Sequence, residues 1–89
     1  MIENQQIESI ASLIGAQPIS ECLVMQLRER FPEIHFTYCM DDDVVGARPV
    51  FEDPRFNLYL VDSREHCLSF TRDPEVASGV VLAEIEPDL

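Results

Sequence analysis

Apolar residues recur at helical spacing over the first third of the chain and at strand spacing after it. Ile2, Ile7, Ile10, Ala11, Leu13 and Ile14 fall mostly on one helical face, with Glu3, Gln6 and Glu8 largely off it. Gly15 is the expected stop for this helix, and Pro18 breaks the chain. Ser20 is placed to cap a second helix, although Glu21 follows it directly and leaves a full capping box missing. Leu23, Val24, Leu27 and Phe31 then repeat at helical spacing, with Glu21, Arg28 and Glu29 facing water, until Pro32 ends the run. Cys22 reads as a buried helix residue, because unpaired cysteines are commonly small core hydrophobes. Two short antiparallel helices joined by a tight link follow from this pattern.

The period then changes to two. Residues 34–40 predict a strand with Ile34, Phe36, Tyr38 and Met40 on one face and His35, Thr37 and Cys39 on the other. Asp41, Asp42 and Asp43 end it, since a triple aspartate cannot continue a packed strand. The stretch 35–43 is thus the hinge between a helical and a strand-rich half. Residues 41–55 predict a long connection with Gly46, Pro49 and Pro54, in which Val50 and Phe51 form a short strand or an apolar plug. Residues 56–61 give the clearest strand, and residues 67–71 return as its hairpin partner with strict alternation. Asp73 and Pro74 predict one helical turn over 74–78, ended by Gly79, and residues 80–85 a fourth strand. Residues 86–89 read as a frayed end.

This order predicts one α+β domain over residues 1–89. Two N-terminal helices pack on one face of a three- to four-stranded antiparallel meander sheet. Ile34, Phe36, Tyr38, Leu58, Leu60, Leu68 and Phe70 are the sheet's expected share of the core. The other face is left to His35, Thr37, Cys39, Asn57, Tyr59, Val61, Cys67, Ser69 and Thr71. That set is depleted of charge and centred on a tyrosine, which is the composition of an interface centre. Two readings follow: this face meets a second copy or a partner, or the acidic loop or the last strand folds over it.

Charge changes the picture of partners. Six basic residues, all arginine, stand against 17 acidic ones, for a net charge of −11. Such a field repels phosphate backbones and anionic lipid headgroups, so neither nucleic acid nor a membrane surface is the expected partner. It suits a basic protein partner or cations, and it also serves plain solubility. Cys22, Cys39 and Cys67 are odd in number, no C-x-x-C occurs, and no signal-type apolar core follows Met1. Free thiols in a reducing cytoplasm are the expectation.

The runs H-F-T-Y-C-M-D-D-D at 35–43, F-N-L-Y-L-V at 56–61 and V-L-A-E at 81–84 resemble a family of small uncharacterised bacterial proteins, some encoded near nitrogen-fixation genes. The resemblance brings no activity and no assigned residues. It implies a bacterial cytoplasmic accessory protein linked to nitrogenase maturation or its regulation.

Candidate chemistry is sparse. Asp41, Asp43, Gly46 and Glu52 match the first, third, sixth and twelfth positions of a calcium-binding EF-hand loop. Val45, Arg48 and Pro49 break that pattern, and the incoming segment reads as strand where an EF-hand needs a helix. Asp41, Asp42, Asp43, Glu52 and Asp53 therefore read as an acidic loop in water. His35 and Cys39 lie about 13 Å apart along a straight strand and cannot share one metal. A site across strands would need Cys39, Cys67 or His66. No nucleophile elbow or glycine-rich phosphate loop is present, so an enzyme is not expected, and neither is a cofactor. The reading is a non-catalytic accessory or regulatory protein-binding module with a protein partner or a homodimeric state. The alternative is a metal-handling or redox accessory protein using the cysteine, histidine and aspartate residues.

Overall fold

A computed structural model describes residues 2–62 and 69–86. Helix α1 spans Asn4–Gly15 and α2 spans Glu21–Arg30, matching the periodicity. Ser20 caps α2 as expected, its Oγ accepting from the Leu23 N–H at 3.3 Å. The start of α1 carries a device the sequence reading missed: the Glu3 N–H donates to the Gln6 side chain at 2.8 Å. At its other end, the Arg55 guanidinium donates to the carbonyls of Ile14 and Gly15. A cation there satisfies orphan carbonyls and complements the helix dipole.

The strands are β1 (His35–Met40), β2 (Phe51–Glu52), β3 (Phe56–Asp62), β4 (Ser69–Thr71) and β5 (Gly79–Glu84). The α+β class and its two N-terminal helices stand, but the sheet is mixed. Its order is β1-β5-β3-β2, with β4 also pairing β3. β1 and β5 run parallel, and the other pairs are antiparallel. The meander is corrected because β5 inserts between β1 and β3. Val80, Val81, Leu82 and Ala83 form an apolar run without alternation, and all four are buried. A strand that is apolar on both faces belongs in the middle of a sheet. Gly79 lets the pairing begin: a Cβ there would stand 2.9 Å from the His35 carbonyl oxygen and 3.0 Å from Val61 Cγ2. Proline-led residues 74–76 form a single turn, with the Glu75 N–H donating to Asp73 Oδ1 at 3.0 Å.

The main core lies between the helices and one sheet face. Phe36, Phe56, Leu58, Leu60, Val80 and Leu82 join Ile7, Ile10, Ile14, Leu23 and Leu27 there. Three assignments to this core or its helices change. Tyr38 points to the helix side but stands on the outermost strand, so it is 44% exposed. Phe70 pairs with Val61, and cross-strand partners share a face. It therefore stands on the side away from the helices, and Ser69 and Thr71 take the helix side. Cys22 is exposed, because it lies off the Leu23, Val24 and Leu27 stripe. Cys67, His66 and Leu68 lie outside the described residues. Among the described residues no helix is long and apolar enough to cross a membrane.

Candidate interaction surface

The sheet face away from the helices is largely covered by the chain itself. The triple aspartate forms a 3-10 turn, Asp41–Asp43, at the end of β1. From there the chain passes over the sheet, packing Val44 and Ala47 with Cys39 against a second cluster of Tyr59, Val61, Val81 and Ala83. Asp41 fastens the turn. One of its carboxylate oxygens accepts from the Tyr59 hydroxyl at 2.8 Å and from Asn57 Nδ2 at 3.0 Å. A buried phenol needs such a partner, and an ionised acceptor makes the strong kind of hydrogen bond.

Of the residues expected at an interface on this face, His35 and Thr37 are exposed on β1. Cys39 and Asn57 are half-buried beside the turn, Tyr59 is only 5% exposed, and Ser69 is exposed on the opposite side. Phe70 holds the exposed apolar position instead, its ring edge-on to Tyr59 at 5.7 Å. The acidic residues are not gathered. Asp41 faces inward, Asp42 and Asp43 face water, and Glu52 sits on β2 opposite Asn57. Asp53 accepts from the Arg55 N–H at 2.9 Å and pairs with its guanidinium at 3.8 Å. Among the described residues no group of three or more His, Cys, Asp or Glu is close enough to hold a metal ion.

Burial, then the charges of Asp43 and Asp41, pushes the Cys39 thiol up, which keeps it protonated and a poor nucleophile. Burial and the bond to Asp41 likewise raise the Tyr59 phenol above its ordinary value of 10.0. A raised phenol stabilises the fold fully below the unfolded value, and that contribution fades as pH rises through the folded value. Between about pH 8 and about pH 11 the wild-type chain should therefore lose more stability than Tyr59→Phe. Urea midpoints of both proteins across this range check it, and parallel curves would contradict it.

The surface that stays open lies at the other edge. Among the described residues no strand pairs with the outer side of β1. Between that edge and α2 runs a groove of about 700 Å³ lined by Ile19, Val24, Met25, Arg28, Phe36 and Tyr38, with Ser20, Glu21 and Thr37 completing it. Met25 is 57% exposed on the helix wall. Tyr38 stands on the strand wall, its hydroxyl donating to Glu84, and that bond raises the phenol. Arg28 Nη2 donates to the Phe36 carbonyl at 3.3 Å. Sequence reasoning missed this groove. Its one sequence signal is Met25, an apolar residue set off the buried stripe of α2.

A family model described as a family of unknown function (DUF6129) matches residues 9–85. No curated protein and no solved structure matches the chain.

Proposed function

Because the chain belongs to that family of unknown function, which brings no activity with it, we propose its role from its own chemistry: it is a non-catalytic accessory module that binds another protein. The observation that carries this reading is the groove beside β1. Met25 and Tyr38 expose large side chains on its two walls, next to a strand edge with no partner among the described residues. Paired exposure of this kind marks interaction sites more than single surface hydrophobes do. The binding surface thus moves from the face centred on Tyr59 to the edge of β1. The expected setting is a bacterial cytoplasm, and a link to nitrogen fixation rests on the sequence resemblance alone.

The metal-handling or redox alternative has less support, since Cys39 is half-buried with its thiol pushed up by burial and the nearby aspartates, and His35 lies at the far end of the same strand. The test is purification of the untagged protein from its native host with quantification of what accompanies it. One protein at near-equal amount, released by Met25→Lys without loss of melting temperature, is the expected result. A chain that migrates alone at its native concentration overturns the reading. Stoichiometric metal in the same sample would favour the alternative.

A further inference from the structure

Resting on the protein-binding reading, we infer that the groove's occupant is an extended, basic segment of the partner that adds to the sheet as a new strand on the outer edge of β1. The backbone carries the argument first. The His35 N–H donates to Ser78 at 3.2 Å, toward β5. In a parallel pair each residue sends its N–H and C=O to the same side, and sides alternate. His35, Thr37 and Cys39 therefore pair inward, and Phe36, Tyr38 and Met40 present their backbone groups outward. Arg28 already occupies the Phe36 carbonyl. The addable edge runs from Tyr38 to Met40.

An uncovered edge is a ready template for another chain, and natural proteins blunt such edges with lysine, proline or bulges. β1 carries none of the first two, and its register with β5 runs unbroken from His35 to Met40. A strand added here sends alternate side chains toward the helix side, where Val24, Met25 and Phe36 form an apolar wall. Charge selects the occupant. The edge leads directly into exposed Asp42 and Asp43, and Glu84 stands beside Tyr38. The whole chain carries −11. A second copy would bring the same charge to the same edge, whereas a lysine- or arginine-bearing segment is drawn to it.

A random twelve-residue peptide display library, selected against the whole native protein, tests this. Enriched peptides should alternate apolar residues with Lys or Arg. Adding the synthesised winner should slow hydrogen exchange at the Tyr38 and Met40 amides. Tyr38→Pro removes an outward donor without removing a β1–β5 bond, and it should weaken binding at least about tenfold. Should that variant not fold, the exchange measurement on the wild-type chain decides alone. Peptides that bind without protecting these amides, yet are lost in Met25→Lys, overturn strand addition and leave the protein-binding reading standing. Acidic or unselected peptides overturn the inference. If the native purification also yields no partner, both fall. Association of the chain with itself through β1, seen by sedimentation, replaces the basic segment with a second copy and overturns it too.

Discussion

Truncating Leu58 to alanine is expected to lower the stability of the fold by about 2–5 kcal/mol. Leu58 is 1% exposed on β3, opposite Phe51 of β2 on one side and Leu82 of β5 on the other. Its side chain meets the helices within the main core. Three strands and the helical layer thus close around one residue, and none of them can collapse into the space without breaking its own pairing. A domain of this size has about 5–10 kcal/mol in total, so the variant should sit near its folding threshold at room temperature. Urea denaturation measures the loss. An unchanged midpoint would mean that β3 presents its other face to the helices.

Much of this fold was legible because local signals agreed with the tertiary ones. The helices announced themselves through Ile7, Ile10 and Ile14 and through Leu23, Val24 and Leu27, all of which are buried. What misled was alternation read in isolation. Residues 67–71 showed a clean period of two, but period alone does not say which set faces inward. That choice is made by register with β3, which sets Phe70 opposite Val61 and away from the helices. The order of strands was also open to reading. Val80 to Ala83 has no polar alternation, and that is the mark of a central strand.

The candidate site was less legible for a different reason. A loop with three aspartates reads as solvated, because charge and burial rarely go together. Asp41 departs from that reading only in part: it is half-buried, because the Tyr59 hydroxyl and Asn57 amide both donate to it across the sheet. Nothing local to residues 41–43 encodes those two donors, which lie in β3. The groove is hidden in the same way. Met25 looks like a stray apolar residue until α2 and the edge of β1 are set side by side.

Replacing Tyr59 with glutamate gives the sharpest view of that covered face. On a sheet face open to solvent the change would leave the fold intact and remove only an association. Here the ring is enclosed by Val61, Val81 and the crossing loop, and its hydroxyl ends on Asp41. A glutamate would set a second carboxylate beside the first, at a position that is only 5% exposed and leaves it little water. An uncompensated buried charge costs about 3–5 kcal/mol, so Tyr59→Glu should largely unfold the isolated chain at neutral pH. Tyr59→Phe loses one hydrogen bond and keeps the ring against Phe70, for about 1–2 kcal/mol. Asp41→Asn should recover part of the loss when combined with Tyr59→Glu, because it removes the facing charge, and the two changes should couple by more than about 0.5 kcal/mol. Thermal melts of the wild type, Tyr59→Glu, Tyr59→Phe, Asp41→Asn and the double variant, followed by circular dichroism, provide the comparison. If Tyr59→Glu melts with the wild type, the aspartate turn does not cover the tyrosine, and the face is free to be an interface after all.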